Sequence, residues 1–340
     1  MKKATVVLAV ALAVFTACQS PKAVPRQEAS YPTSSVELVA PAGSGGGYDL
    51  TIRAMARCLE KTGLVSVPLP VTNKPGMGGG VALDYLYEKQ GCDDVVAVYS
   101  PPLCLINLNG SSERSYKDST TPIARLITDY GCFAVSKDSP YQTIAEVMEV
   151  LRNDPSSLRI GGTSAAGSMD HVQFLKIAKA AEVTGLDKIQ YTGYQDGAVV
   201  AQLMGGNIDV VSTGISDAVG LAESGDIRVL AITADKRVGS GIVAEMPTCV
   251  EQGINATFIN WRGLFGPKDM PEYARAYWED VLKKMAESDQ WKEICIKYGW
   301  DMDFMAGIEF ETFLEQVNAE YADLLGEVGL INTEASSINR

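Results

Sequence analysis

Residues 36–49 read VELVAPAGSGGGYD, a run that predicts a short apolar strand, a glycine-rich turn and the start of a helix. Residues 158–168, LRIGGTSAAGS, repeat this order. Glycine lets several backbone N–H groups point into one space, and the start of a helix adds partial positive charge. We therefore expect each turn to bind a carboxylate or a phosphate. The two turns are far apart in the chain, so we expect them on different domains that face one cleft.

We call residues 42–49 the first loop and residues 163–168 the second loop. From residue 36 onward, short β-like runs alternate with amphipathic helical segments, which is typical of an α/β fold with largely parallel sheets. The predicted strands are residues 36–40, 69–73, 95–99, 133–136, 158–161, 188–191, 209–212, 228–233 and 262–266. The predicted helices are residues 50–61, 81–89, 144–152, 169–181, 197–204, 218–224, 271–288 and 310–325. Thr143 and Glu146 have the spacing of a capping box, which predicts one helix start.

The size and charge of the chain limit the classes of partner. Its 340 residues are enough for two domains with their own cores, and its formal net charge is −13. An acidic chain without clusters of basic residues argues against nucleic acid as a partner. An anionic ligand remains compatible with this charge, because backbone dipoles act locally.

The motifs of several enzyme classes are absent from the sequence. The glycines of the first loop lead into Tyr48 and not into the Gly-Lys-Ser/Thr of a P-loop, and the GxGxxG pattern lacks its third glycine. There is no GxSxG elbow, and the single histidine, His171, has no matching nucleophile. The spacing of zinc ligands is also missing. We predict that the protein is not an enzyme and holds neither a metal nor a cofactor.

The N-terminus has the features of an export signal. Met1-Lys2-Lys3 precedes an apolar run over residues 4–15 and the small residues before Cys18. This pattern predicts a lipoprotein signal peptide at residues 1–17, a lipid anchor on Cys18 and a polar tether over residues 18–35. The alternative is an ordinary cleaved signal peptide. Six further cysteines are widely spaced, and the sequence assigns no disulfide among them.

Several segments together resemble one protein family. They are residues 41–49 with Arg53, 73–79, 161–171, 191–197, 203–209 and 261–267. In their order and spacing, over residues 36–330, the chain resembles the solute-binding receptors of tripartite tricarboxylate transporters.

This resemblance implies a two-domain hinged periplasmic-binding-protein (Venus flytrap) fold, in which each domain is a mostly parallel sheet flanked by helices. It implies that residues 36–131 plus 256–340 form domain 1 and residues 132–255 form domain 2, with crossings near 131–133 and 250–257. The implied function is extracytoplasmic capture of a small di- or tricarboxylate, which is delivered to transmembrane permease subunits. Two alternatives are a ligand-sensing domain for a signalling partner and an exported carboxylate-processing enzyme that uses His171.

The predicted ligand-binding residues lie in the two loops and at neighbouring strand and helix ends. They are Ser44, Gly45, Gly46, Gly47, Tyr48, Asp49, Gly78, Ser100, Thr163, Ser164, Ala165, Ser168, His171, Tyr194 and Asp217. The resemblance, and not its spacing, implies that His171 lies near the cleft in a ligand-facing or water-bridging role that is sensitive to protonation.

Some of these residues have a structural alternative. Asp49 could cap its helix and pair with Arg53, four residues later. Ser168 could be a plain N-cap, and the ring of Tyr194 could pack in a core. Arg262 could bind a carboxylate through both guanidinium nitrogens or could form a salt bridge between domains. For Trp261 we expect packing alone.

Overall fold

A computed structural model describes residues 30–194 and 198–332. Its strands are β1 (Glu37–Ala40), β2 (Val71–Asn73), β3 (Val95–Tyr99), β4 (Thr120–Ser136), β5 (Arg159–Gly162), β6 (Gln190–Gly193), β7 (Val210–Gly214), β8 (Ile227–Ile232), β9 (Ile259–Pro267) and β10 (Asp301–Ala306). Its helices are α1 (Gly47–Thr62), α2 (Gly80–Glu88), α3 (Pro102–Leu108), α4 (Tyr116–Ser119), α5 (Ile144–Asn153), α6 (Met169–Ala180), α7 (Ala198–Met204), α8 (Ile215–Glu223), α9 (Ile242–Glu245), α10 (Glu272–Glu287), α11 (Asp289–Tyr298) and α12 (Gly307–Glu327). The predicted signal peptide, Cys18 and most of the predicted tether lie outside the described residues.

Strand β4 connects two groups of strands. From Thr120 to Tyr130 it pairs antiparallel with β9, which continues through β3 and β1 to β2; we call this group, with β10, the first sheet. From Gly131 onward β4 pairs with β7 and β8, and β7 continues through β5 to β6 as the second sheet. Within each group the outer strands are parallel, as in β1 with β3 and β5 with β7. The predicted α/β class is confirmed.

The change of partner in β4 lies beside a predicted crossing. It occurs between Tyr130 and Gly131, next to the crossing expected at residues 131–133. The second expected crossing, at residues 250–257, leads into β9. The two domain limits, residues 36–131 plus 256–340 and residues 132–255, stay a prediction.

The structure contains strands and helices that the sequence pattern did not indicate. Only residues 133–136 of β4 were predicted, because Pro122 and the buried polar side chains of Arg125 and Asp129 interrupt its apolar alternation. Strand β10 carries Asp301 among its first residues and also lacks a clear apolar pattern. Helices α3, α4, α9 and α11 are likewise additional to the predicted set.

Helices cover both faces of each sheet. On the first sheet, α1, α10 and α11 bury Trp278 on one face, and α2, α3 and α12 bury Trp261 on the other. On the second sheet, α5 and α6 pack around Phe133, and α7 and α8 pack against Val211. The expected packing role of Trp261 is confirmed by its complete burial against the rings of Phe265 and neighbouring aromatics.

The predicted capping box is present at the start of α5. The Thr143 hydroxyl accepts a hydrogen bond from the Glu146 amide at 3.2 Å, and the Glu146 carboxylate accepts one from the Thr143 amide at 3.3 Å. This is the predicted capping box.

The structure shows the state of the described cysteines and the polarity of the described helices. Cys58, Cys92, Cys104, Cys132, Cys249 and Cys295 are free, and all but Cys92 are buried. Within residues 30–194 and 198–332, every helix is too short or too polar to cross a bilayer.

We predict that Phe133→Ala destabilises the fold strongly. The Phe133 ring is fully buried and meets the Phe174 ring edge-on, with 5.5 Å between centroids. Its loss leaves a cavity, so the free energy of unfolding should fall by about 3–5 kcal/mol in a urea titration. The control is Ile296→Ala, whose side chain is 76% exposed and which should change it by less than about 0.5 kcal/mol. Equal effects of the two variants would contradict the core described here.

Candidate functional site

The first loop is closed by its own carboxylate. Asp49, in the first turn of α1, accepts hydrogen bonds from the Gly45 amide at 2.9 Å, from Arg53 Nε at 2.7 Å and from Asn73 Nδ2 at 2.8 Å. Burial alone would raise the pKa of Asp49, but these bonds outweigh it and hold the pKa below its usual value. The expected ion pair with Arg53 is present, and Asp49 and the Gly45 amide are engaged with each other. Direct contact of Asp49 or Gly45 with a ligand stays a prediction.

Other donors of the first loop remain available. Among the described residues, the amides of Gly47 and Tyr48 at the start of α1 have no hydrogen-bond acceptor, whereas the Gly46 amide binds the Gly43 carbonyl oxygen at 3.2 Å. Ser44 is exposed at the tip of the loop. The donors that remain free to face an anion are therefore the amides of Gly47 and Tyr48 and the Ser44 hydroxyl, and a ligand contact of Gly46 stays a prediction.

Arg262, on β9, lies under the first loop. A Cβ atom on Gly47 would stand 2.6 Å from Arg262 Nη2, so only glycine allows this close approach. The side chain is 9% exposed, donates from Nη1 to Asn260 Oδ1 at 2.5 Å and leaves Nε without a partner among the described residues. Arg262 thus brings a buried positive charge to the free amides of the first loop.

The predicted salt bridge of Arg262 is not found. Arg125 pairs with Asp303 at 2.7 Å, but Arg262 forms no ion pair with any carboxylate of residues 30–194 and 198–332. Arg262 keeps its hydrogen bond to Asn260 and acts electrostatically on Asp129, but a buried guanidinium without an ion pair is still unfavourable. Arg262 is therefore the group in this region that most needs an anion.

Asp129, on β4, and Arg262 act on each other electrostatically. Burial raises the pKa of Asp129 to about 6; Arg262 and the Tyr130 amide oppose the rise, while Asp217 and Asp301 add to it. The Tyr130 amide donates to Asp129 Oδ1 at 2.8 Å. Asp129 thus lies within electrostatic reach of both Arg262, on the first sheet, and Asp217, at the start of α8.

Ser100 bonds to Tyr48 of the first loop, and Gly78 lies in an exposed turn. The Ser100 hydroxyl is buried and donates to the Tyr48 hydroxyl oxygen at 2.8 Å, and its contact with a ligand stays a prediction. Gly78 is exposed in a turn at φ 63°, and the next residue, Gly79, accepts a hydrogen bond from the Tyr99 hydroxyl at 3.1 Å. Burial also raises the pKa of Tyr48, so its phenol stays neutral.

The second loop is closed in the same way as the first. Asp170, in the first turn of α6, accepts hydrogen bonds at Oδ2 from the Thr163 amide and hydroxyl, both at 2.8 Å, and from the Ser164 amide at 2.9 Å. Its own amide donates to the Ser164 hydroxyl at 3.0 Å. Burial raises the pKa of Asp170, and these bonds oppose the rise. The predicted ligand donors Thr163 and Ser164 are thus occupied by Asp170, which the sequence prediction had not included.

Two predicted residues of the second loop keep free donors. The exposed Ala165 amide has no acceptor among the described residues. Ser168 is the N-cap residue of α6, as its structural alternative predicted, but its hydroxyl makes no capping bond. Both can serve an anion at this end of the cleft.

His171 holds the second loop and is buried. Its Nδ1 accepts a hydrogen bond from the Gly167 amide at 3.1 Å, and its ring stacks on Tyr191 with 4.2 Å between centroids. Burial lowers the pKa of His171 to about 4, so the ring is neutral at physiological pH. Tyr191 in turn donates from its hydroxyl to the Ser164 carbonyl oxygen at 2.8 Å. A pKa this low argues against a role that depends on protonation near neutral pH, whereas Nε2 is buried without a partner among the described residues, and a ligand-facing or water-bridging role stays a prediction.

Tyr194 and Asp217 lie on the α7 and α8 side of the second sheet. Tyr194 packs against the apolar core there, as its structural alternative expected. Asp217 is exposed at the start of α8 and accepts a hydrogen bond from the Thr213 hydroxyl at 3.2 Å. Asp217 can therefore meet a ligand, and Tyr194 contributes mainly packing.

A contact that the sequence did not indicate joins the first-sheet side to the second loop. Asn109, after α3, donates from Nδ2 to the Gly167 carbonyl oxygen at 3.1 Å. Lys176 of α6 also pairs with Glu320 of α12 at 2.6 Å. Asn109 carries no local pattern that could have revealed this role. For Arg262 the sequence left two roles open, carboxylate binding and a salt bridge between domains.

The chain is similar in sequence and in fold to known receptor proteins. A family model described as tripartite tricarboxylate transporter family receptor matches residues 52–330. The chain is similar to a UPF0065 protein in the gbd 5′ region of Cupriavidus necator, with 22% identity over 95% of this chain and 97% of that protein. A crystal structure of a TctC solute binding protein from Polaromonas has a TM-score of 0.70 and 23% identity, over 88% of this chain and 100% of the other. Rpa4515 of R. palustris with adipate has a TM-score of 0.74 and 21% identity, over 89% and 99%. The fold is that of two-domain periplasmic binding proteins.

We predict a pH-dependent gain in stability for Asp129→Asn. The pKa of Asp129 is about 6 in the folded protein against 3.8 for the ordinary group, so the unfolded chain ionises first as the pH rises. Between about pH 4 and pH 6 the free energy of unfolding of the wild type should therefore fall by about 3 kcal/mol relative to that of the variant. Above about pH 6 the difference should stay constant. Urea titrations of both proteins at four pH values give this difference. A difference that does not vary with pH would contradict the burial of this carboxyl group.

Proposed function

Because the chain belongs to the tripartite tricarboxylate transporter receptor family, whose members are solute-binding receptors and not enzymes, we propose that it captures a small organic carboxylate between its two loops. The observation that carries the proposal is the buried, unpaired guanidinium of Arg262 beneath the free amides of Gly47 and Tyr48. A carboxylate there would neutralise Arg262 and accept hydrogen bonds from the start of α1.

The two internal carboxylates support this assignment of roles. Asp49 and Asp170 already bind amides of the first and second loops, so those amides keep the loops in shape and do not recognise a ligand. The recognition of the anion then rests on a few donors, namely Gly47, Tyr48 and Arg262. Fixed donors of this kind need little rearrangement when the ligand binds.

The second loop would complete the site when the domains close. The Ala165 amide and the Ser168 hydroxyl are its available donors, and a second carboxylate of a di- or tricarboxylate would bind there. A ligand that contacts both loops at once favours the closed form over the open one. The hinge would lie where β4 changes partner, between Tyr130 and Gly131, with residues 36–131 plus 256–340 on one side and 132–255 on the other.

The partners follow from the family. A receptor of a tripartite transporter acts outside the cytoplasm, and we propose that the closed form delivers its ligand to transmembrane permease subunits. A lipid on Cys18 would keep the receptor at the membrane surface next to those subunits. A signalling receptor as the partner is the alternative, and it predicts binding to a sensor protein in place of a permease.

We predict that Arg262→Gln weakens carboxylate binding by about 10- to 100-fold, because hydrogen bonds to a charged group are lost. The probes are succinate, adipate, malate and citrate, first in a thermal-shift screen and then by calorimetry on the mature chain. Arg262→Lys should bind with intermediate affinity, since lysine keeps the charge but loses the paired donors. The control is Arg237→Gln, which removes an exposed arginine that pairs with Glu251. Unchanged affinity in Arg262→Gln would overturn the proposed anion site.

We also predict that the mature chain begins at a lipidated Cys18. Mass spectrometry of the N-terminal peptide from membranes should find a diacylglyceryl adduct on that residue. Cys18→Ala should move the protein to the soluble fraction while leaving ligand affinity unchanged. A wild-type mature terminus without lipid would establish the ordinary signal peptide instead.

A further inference from the structure

Asn260 lies two residues before Arg262 on β9, and its side chain is only 4% exposed. Its Oδ1 atom accepts a hydrogen bond from Arg262 Nη1 at 2.5 Å. Among the described residues it is the one hydrogen-bond acceptor of the Arg262 side chain. The amide of asparagine carries no net charge. The bond therefore orients the guanidinium without neutralising it.

The bond to Asn260 leaves one edge of the guanidinium free. The N–H groups of Nε and Nη2 point to the same side of the planar group and can bind both oxygens of one carboxylate. Nε has no hydrogen-bond partner among the described residues. Nη2 is the atom that would lie 2.6 Å from a Cβ atom on Gly47. The free edge therefore contains the nitrogen that lies against the first loop.

The strand register places a competing partner beside Arg262. Asn260 is directly opposite Asp129 on β4, so the two side chains lie on the same face of the first sheet. Arg262, two residues along β9, is then the diagonal neighbour of Asp129, at about 7–8 Å, which a long side chain can bridge. Asp129 is buried and accepts a hydrogen bond from the Tyr130 amide. Arg262 bonds to Asn260 and not to Asp129.

We propose that Asn260 is a positioning residue that holds the guanidinium of Arg262 toward the first loop and away from Asp129. Without the Asn260 side chain, the guanidinium would turn to Asp129 and form an ion pair within the chain. A ligand carboxylate would then have to displace Asp129 in order to bind Arg262. This inference rests on the proposed carboxylate site.

The neutral charge of Asn260 matters as much as its position. The substitution Asn260→Asp keeps the size of the side chain and the acceptor for Nη1. It also places a carboxylate on Arg262, so the guanidinium would be compensated by its own chain. We therefore expect this substitution to weaken ligand binding even though the bond to Nη1 is kept.

The test is a double-mutant cycle, measured by calorimetry on the mature chain with succinate, adipate, malate and citrate as probes. Asn260→Ala should weaken the binding of each acid that binds the wild type by about tenfold, because Asp129 competes for Arg262. In the Asp129→Asn background the same substitution should weaken binding by less than about threefold, because the competing carboxylate is absent.

Two further variants separate positioning from a merely structural role. Asn260→Asp should weaken binding by about tenfold in both backgrounds, since its own charge is the competitor. The control is Asn318→Ala, which removes a buried asparagine of α12 and should leave the affinity unchanged. Circular dichroism verifies that each variant is folded. If Asn260→Ala does not fold, Asn260→Asp decides the question, because it conserves the shape of the side chain.

The outcomes separate this inference from the proposed function. Equal affinities of the wild type and the Asn260 variants would overturn the positioning role and leave the carboxylate site in place. A tenfold loss in Asn260→Ala that persists in the Asp129→Asn background would also overturn it, because Asp129 would not be the competitor. If none of the four acids binds the wild type, the proposed function fails, and this inference fails with it.

Discussion

Both loops depend on one interaction, a carboxylate from the first turn of the following helix that binds the backbone of its own loop. Asp49 does this for the first loop and Asp170 for the second. In each case the helix start attracts a negative charge, and the chain itself supplies it. Each glycine-rich turn is therefore held in shape by a carboxylate of the chain itself. Their shape is a property of the fold.

This constraint moves the recognition of an anion to donors that the internal carboxylates leave free. At the first loop these are the amides of Gly47 and Tyr48, and beneath them is Arg262, buried and without an ion pair among the described residues. The approach of Arg262 is possible only because Gly47 has no side chain. A loop held by Asp49 and a guanidinium without an ion pair among the described residues together form a site for one carboxylate.

The sequence predicted what is local and missed what joins distant segments. The strand, turn and helix of each loop follow from residues next to one another, as does the Asp49–Arg53 pair at four-residue spacing. Asp170 could have been recognised by its likeness to Asp49, since both stand in the first turn of the helix after a loop. The contacts of Arg262 with the first loop and of Asn109 with Gly167 bring together segments far apart in the chain, and no local pattern reveals them.

The most direct test of this account is a ¹H–¹⁵N NMR titration of the protein with a carboxylate that binds. The amides of Gly47 and Tyr48 and the Arg262 Nε–H group should shift strongly downfield as they gain an acceptor. The amides of Gly45, Thr163 and Ser164 should stay in place, because Asp49 and Asp170 already bind them. The opposite pattern, in which these three shift and Arg262 does not, would show that the ligand displaces the internal carboxylates and would contradict the account.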